Sequence, residues 1–490
     1  MSVRVLARLV GVLAIVGWAS VAAAQSADEQ AGHNMASMAR EGSGTSWLPD
    51  ATPMFMVHRQ RGPWMLMAHE NLFVQFLKDS GDRGDDQVGS INWVMGMAER
   101  SLGRARLALR GMFSAEPWTI RGCGYPDLLA SGEECAGEAI HDRQHPHDLA
   151  MEISARYDAP LRGAVRWEVY GGPSAEPALG PVAYPHRVSA GPNPIAPISH
   201  HWLDSTHVSF GVVTAGVYGA RWKAETSVFN GREPDDQRKD FDFGPLDSVA
   251  GRLSFLPTEN VALQVSAGHL NQAESGEAGE PRVDVDRVTA SATFHHVAGD
   301  TVSASTFAWG RNSESAHATN ALLVETSLII RDRDVWFGRL EAVQKTPHDL
   351  EVEAVDERFA VSKVQVGYTR YARVTNGFNA GVGASVSAGI VPGDLAPFYG
   401  GRVNPGIAVF VTVRPAATGA GASATAATRT MVMVQTAYDP SKLTCPAGFD
   451  PSRAPSTIYD GRTYYFCSTE DRDRFRTDPQ MSLSMMPPKQ

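Results

Sequence analysis

The sequence predicts an all-β fold: a transmembrane antiparallel β-barrel of about 16 strands, with a small second domain at the C-terminus. Three observations carry that expectation. Apolar and polar residues alternate with a period of two along most of the chain, which marks strands with one apolar and one polar face. The joins between these segments are short and long in alternation. Past the N-terminal leader no apolar run is long enough to span a bilayer as a helix, and lipid then admits only a closed barrel.

The repeating unit is clearest between Phe359 and Ser387. Val364, Val366 and Tyr368 alternate with Lys363, Gln365 and Thr369. From Phe378 onward the apolar residues again take every second position, with Asn379, Ser385, Ser387 and glycines on the other face. Between the two runs lies Val374-Thr375-Asn376-Gly377, and Asn-Gly is the strongest short hairpin signal. The same pattern places strands near 64–77, 90–100, 104–115, 148–158, 163–171, 204–217, 219–230 and 247–257. It continues near 260–270, 285–296, 300–310, 319–331, 333–345, 357–371, 376–389 and 404–414.

Every second join is short, among them Ser101-Leu102-Gly103, Asp158-Ala159-Pro160-Leu161, Pro257-Thr258-Glu259, Ala298-Gly299-Asp300 and Asp332-Arg333. The alternate joins are longer, above all near 116–147 and 172–203. Outer-membrane barrels have this form, with short periplasmic turns, long outer loops and an even strand count. A secreted, soluble all-β protein is the reading this displaces.

The two faces agree with a wall between lipid and water. Ala105, Leu107 and Leu109 stand against Arg106, Ala108 and Arg110; Val165, Trp167 and Val169 against Arg166, Glu168 and Tyr170. Trp222, Ala224 and Val228 stand against Lys223, Glu225 and Ser227, and Ile407, Val409, Val411 and Val413 form the last outer face. The inward residues Arg106, Arg110, Arg166, Glu168, Lys223, Glu225, Arg252, Glu325, Arg339, Glu341 and Lys363 then line the lumen. Their signs are mixed, with no ring of one charge. A barrel of this strand number holds water unless loops fold in to plug it.

Residues 1–24 read as a secretory signal peptide: Arg4 and Arg8 precede the apolar stretch Leu9 to Val21, and Ala22-Ala23-Ala24 precede Gln25. Outside the cytoplasm cysteines pair by default, and Cys123 with Cys135 is the expected disulfide. Residues 25–60 lack a strand pattern and read as a mobile N-terminal arm ahead of a barrel over 61–414. A net charge of −10 argues against nucleic acid as a partner.

After Val413 the pattern stops. Residues 415–431 are rich in Ala, Gly, Ser and Thr, a flexible linker to a unit over 432–490. There Tyr459-Asp460-Gly461-Arg462-Thr463-Tyr464-Tyr465-Phe466-Cys467-Ser468, followed by Phe475 and Asp478-Pro479, resembles a YHS domain. Asp439-Pro440 and Cys445-Pro446-Ala447-Gly448 resemble a loosened form of that family's opening turn. The resemblance implies a small, treble-clef-like periplasmic domain and metal ligation by Cys445 and Cys467. Where the family often has a further cysteine this chain has Asp471, so two thiolates and a carboxylate are the implied ligands for zinc or copper. Read from the residues alone, Cys445 and Cys467 are equally a plain disulfide.

Histidine supplies a second theme. One long loop ends in His141-Asp142-Arg143-Gln144-His145-Pro146-His147-Asp148 and the next in His200-His201-Trp202-Leu203-Asp204-Ser205-Thr206-His207. The topology puts both on the outer end, where imidazoles beside carboxylates suit Zn²⁺, Cu²⁺ or Ni²⁺. The alternative is that these loops fold inward and hydrogen-bond one another as a constriction. Met54, Met56, Met65, Met67, Met95 and Met97, with His58 and His69 among them, add thioethers that suit soft Cu(I) or Ag(I), or else fill gaps. Nucleophile elbow, zincin, phosphate-loop and dinucleotide motifs are absent from the sequence, so no enzyme is expected.

The sequence therefore points to an outer-membrane protein that handles heavy-metal ions by binding or passage, and resembles uncharacterised barrels of Gram-negative metal-resistance systems. A general porin for small polar solutes, with a structural C-terminal unit, is the alternative. Its partners are the lipid bilayer and small ions or solutes, alone or as a homo-oligomer.

Overall fold

The computed structural model describes residues 40–274, 282–314, 317–353, 358–375 and 377–417, and scattered positions between 455 and 475. The chain divides into two units, residues 1–420 and 421–490.

In the first unit the strands are β1 (Val57–Arg61), β2 (Trp64–Asp79), β3 (Asp86–Leu102), β4 (Ala105–Phe113), β5 (Tyr125–Cys135), β6 (Glu138–Gln144) and β7 (Ala150–Arg162). Then come β8 (Val165–Ser174), β9 (Val212–Tyr218), β10 (Trp222–Phe229), β11 (Ser248–Thr258), β12 (Val261–Glu274) and β13 (Val283–Ala298). The last six are β14 (Thr301–Glu314), β15 (His317–Ile330), β16 (Asp334–Lys345), β17 (Phe359–Thr375), β18 (Phe378–Ile390) and β19 (Val403–Pro415). Among the described residues 17 strands form one antiparallel sheet; β1 is a short accessory, and the other 16 close a ring. Closure is by β19 against β2, with Gly406–Val413 facing Leu72–Asp79. Beyond that span β1 takes over the same edge of β2, from Ala68 to Trp64, so no long edge is left unpaired.

The outward face is apolar, with Leu109, Val169, Val228, Leu253, Leu322, Val366 and Val409 all exposed. Near the short turns it carries aromatics: Tyr157 against Trp167, Trp336 against Tyr368, and Trp222 and Phe294. An apolar band edged by aromatic rings is the surface that lipid requires. In β18, glycines on the inward face make room for rings: a Cβ at Gly381 would lie 2.8 Å from Tyr371, and one at Gly383 would collide with Phe410.

Two boundaries differ from expectation. The strand expected over 204–217 begins at Val212, because His200–Leu203 and Ser205–His207 fold as single helical turns. The join after β14 is only residues 315–316, because β14 and β15 run further toward the loop end than their alternation suggested.

Three segments fill the lumen. Residues 40–56, read from the sequence as part of a mobile arm, are packed inside the barrel instead: Ser43, Thr45, Leu48, Thr52 and Met54 are buried. Charged wall residues hold this segment, because Lys223 donates to the Thr45 carbonyl at 2.6 Å and Arg110 to the Gly44 carbonyl at 2.6 Å. Glu41 sits between Arg156 and Arg110; burial raises its carboxyl, but the two guanidiniums outweigh that and hold it at about 2. The β5–β6 hairpin, clamped by the expected Cys123–Cys135 disulfide, inserts Leu128 and Leu129 among Ala321, Val343, Val361 and Leu395. The third segment is the 175–211 loop.

That loop explains the polar inward face. A buried loop must find partners for its backbone groups. Prolines at 177, 181, 185, 192, 194 and 197 remove donors outright. Wall side chains accept from others: Ser227 Oγ from Ala178 N at 2.7 Å, Ser266 Oγ from Gly180 N at 2.8 Å, Glu341 from Ser199 N at 3.0 Å. The residues expected to line water therefore point inward as expected, but pair with one another or with inserted chain. Arg252 reaches Glu225 and Thr45, Glu168 meets Lys223 at 2.5 Å, Lys363 pairs with Asp127, and Arg339 meets Glu325 at 3.4 Å. Near the turns, Arg106 and Arg166 share Asp158.

The second unit is described only in part: Ser456–Tyr459 pairs with Arg462–Tyr465 as a hairpin. Phe475 packs at a tilt against Tyr464 and Phe466, with ring centroids 4.7 and 5.3 Å apart.

Candidate functional site

The inserted segments bring together five of the six histidines expected to act together. His145 and His147 follow the β5–β6 hairpin, while His200, His201 and His207 lie on the helical turns of the 175–211 loop. Ring centroids are 5.2 Å apart for His200 and His207, 5.4 Å for His147 and His207, 5.4 Å for His200 and His201, and 5.6 Å for His145 and His201. His141 stands apart, its Nδ1 accepting from Arg83 at 2.5 Å beside Asp142. Its side chain points to the hairpin surface because β6 alternates, and it is not part of the cluster.

Four of the five rings are anchored through Nδ1. His200 meets Asp204 Oδ1 at 2.9 Å, His201 meets Glu233 Oε1 at 2.9 Å, His147 meets Glu116 Oε2 at 3.0 Å, and His207 meets the Asp204 carbonyl at 2.8 Å. His145 meets Glu133 through Nε2 at 3.2 Å. The Nε2 atoms of His201 and His207 are buried and have no hydrogen-bond partner among the described residues, and His147 Nε2 faces the Tyr184 hydroxyl at 3.1 Å. The His201 ring lies against Gly132, at φ +116°, where any Cβ would collide with it.

Burial disfavours the charged form of three of these rings, His145, His200 and His207. Burial pushes His200 down to about 4 against the pull of Asp204, and pushes His145 and His207 well below the ordinary range. Burial alone would raise Asp204, but Arg187, 2.6 Å away, holds it well below the usual carboxylate range. Arg187 also reaches Glu325 at 2.5 Å, tying the loop to β15. Neutral imidazole with one nitrogen fixed by an oxygen is the form that binds transition metals. The histidine nitrogens do not converge as they stand: among the described residues, three ligand atoms come within 4.8 Å of one another only at Asp235, Asp240 and Asp242, carboxylates at the surface.

A second donor group lies along β2 and β3. Their register sets Met67 opposite Met97 and His69 opposite Met95 on the inward face. Together with Met54 and Met56 from the arm and His186 from the loop, they line a cavity of about 140 Å³. His69 Nε2 is 3.1 Å from Met95 Sδ, and the His69 and His186 rings are 5.4 Å apart. Met65 is buried beside this cavity and His58 lies half-buried on β1. Cys445, Cys467 and Asp471 lie outside the described residues.

Sequence reasoning missed His186, Tyr184 and the anchors Glu116, Glu133 and Glu233. Asp204 alone left a local signal, four residues after His200 on one turn.

No family model matches this chain, and no curated protein matches it. Solved structures similar to it include OmpT, an outer membrane protein of Vibrio cholerae, at 9% identity and TM-score 0.40, covering 73% of this chain and 99% of that one. The OmpF of Salmonella typhi, in a complex with daunomycin, matches at 11% identity and TM-score 0.43, covering 73% and 100%. The outer membrane channel DcaP of Acinetobacter baumannii matches at 7% and 0.40, covering 73% and 99%. The barrel architecture rests on the strand pairing itself.

Proposed function

We propose that this chain is an outer-membrane barrel protein that handles heavy-metal ions, copper or a similar ion, by binding them in its filled lumen and passing them along it. The observation that supports the reading is the packing of five loop histidines, four with Nδ1 anchored by oxygen. Two imidazoles on one tetrahedral zinc, with Zn–N near 2.0–2.1 Å, place their ring centres about 5 Å apart. The observed centroids fall near that separation. In this reading the YHS-like domain captures ions in the periplasm through Cys445, Cys467 and Asp471.

The test is metal retention and flux by the full chain in lipid vesicles loaded with Zn²⁺ or Cu²⁺. Retained metal that is lost in His200→Gln/His201→Gln, and transfer reduced in Cys445→Ser/Cys467→Ser, is the expected outcome. A general porin is the second reading, favoured by the 16-strand wall, whose diameter suits an aqueous channel. Steady conductance of small sugars, with no metal retained, would decide for it; the packed lumen argues for the first.

A further inference from the structure

Around the Met54–Met97 cavity thioethers outnumber every other kind of side-chain donor. Met54, Met56, Met67, Met95 and Met97 bring thioethers to its wall, and His69 and His186 bring imidazoles. Met54, Met67 and Met95 are buried, so their sulfur atoms are shielded from bulk water. Ordinary gap-filling methionines leave no void; these line a partly open one of about 140 Å³, large enough for an ion. Trp93 walls one side, 4.9 Å from His69 and 5.2 Å from His186, and limits water there. The lining also carries charge of both signs, Glu41, Glu70 and Glu99 against Arg110, Arg187 and Arg414, so the formal charges offset one another around the cavity. Thioether and neutral imidazole, poor in charge, select soft ions of low charge over Zn²⁺, Mg²⁺ or Ca²⁺.

We propose that this cavity binds a soft monovalent cation, Cu(I) or Ag(I), through the thioethers of Met67, Met95 and Met97, with His69 or His186 completing the ligand set and Met54 or Met56 closing it from the arm. The proposal deepens the metal-handling reading and rests on it for its biological sense, but the site stands on its own geometry. It is continuous with the histidine cluster: His207 neighbours His147 and Tyr184, and the pocket lined by His147, Tyr184 and Pro185 shares Trp93, Asn71 and Gly191 with the methionine cavity. An ion entering from the loop end would thus pass from imidazole to thioether donors.

The experiment uses the full chain, folded in detergent, with Cys445→Ser and Cys467→Ser to remove the competing thiols. Ag(I) serves as the probe because it needs no reductant. One tightly held Ag(I) per chain after desalting is expected, lost in Met67→Leu/Met95→Leu and kept in His201→Gln. Heat-modifiable migration on a gel reports folding of each variant. In parallel, ¹³C-methyl methionine spectra of the otherwise unaltered chain should show Ag(I) shifting Met67, Met95 and Met97 but not Met112, which needs no cavity variant to fold. Absence of bound Ag(I), or equal binding in the Met67→Leu/Met95→Leu chain, or shifts confined to other methionines, would overturn the proposal. Ag(I) held at these sulfurs with no metal flux in vesicles would overturn the transport reading while leaving this site; flux without Ag(I) binding would do the reverse.

Discussion

The histidine cluster and the methionine cavity share one lumen but are built in opposite ways. The cluster is a network of charge: each imidazole leans on a carboxylate or carbonyl, and Asp204 in turn leans on Arg187. The cavity is set by register, with Met67 opposite Met97 and His69 opposite Met95 on neighbouring strands, and its sulfur donors need no charged support. One region therefore depends on its partners' protonation and the other on volume. That difference predicts which changes each will tolerate.

The largest expected effect is at the hub of the network. Asp204→Asn leaves Arg187 with Glu325 as its ionic partner and removes the carboxylate that anchors His200. Breaking a buried, hydrogen-bonded charge pair costs about 3–5 kcal/mol. The 175–211 loop should become open to protease in the folded barrel, and Ni²⁺ or Zn²⁺ affinity should fall by roughly 10–100-fold, as losses of ligand-orienting groups do. Ag(I) retention should fall far less. Equal losses of both ions would show that the two regions are one unit.

A smaller effect separates the regions by pH. His200 is held at about 4 against an unperturbed value of 6.5, so the undocked loop binds a proton there that the docked loop refuses. Between those two values docking weakens as pH falls, by about 1.4 kcal/mol per pH unit for this one group. Glu133 and Glu176, pushed up to about 8 by burial, act in the opposite sense, since their docked forms hold the extra proton. The difference between parent and His200→Asn isolates the histidine. Protease protection of the loop should decline more steeply in the parent than in the variant on going from pH 6.5 to 4, and identical profiles would refute the assignment. His200 faces Asp204, His145, His201, His207, His147 and Tyr184, and all of these side chains are present in both proteins compared.

How much of this could be read in the chain depends on which interactions are local. The wall was legible because alternation is enforced residue by residue: Val364, Val366 and Lys363, Gln365 face opposite sides in the structure as in the pattern. The eleven charged residues assigned to the inward face do point inward. Their partners were not legible, because Glu341 meets Ser199 and Lys223 meets Thr45 across more than a hundred residues. Residues 40–56 have no period at all, since a segment enclosed on every side has no outward face to be polar. The five clustered histidines were visible as two motifs, while His186 was one residue in a proline-rich loop whose inward path no local signal gives.

The smallest expected effect tests whether methionine in this barrel means a ligand or only volume. Met112 and Met95 face each other on β4 and β3, and both are buried in the same apolar cluster with Met151 and Phe210. Only Met95 also borders the cavity; Met112 does not. A volume-conserving Met112→Leu should cost less than about 1.5 kcal/mol in barrel unfolding, and the same holds for Met95→Leu. The two variants should therefore be alike in stability and unlike in Ag(I) affinity, because a Leu methyl restores packing but offers no lone pair. If Met112→Leu weakens Ag(I) as much as Met95→Leu does, the ion reads the packing of the cluster rather than the sulfur at the cavity wall, and the contrast between the two regions of the lumen loses its chemical basis.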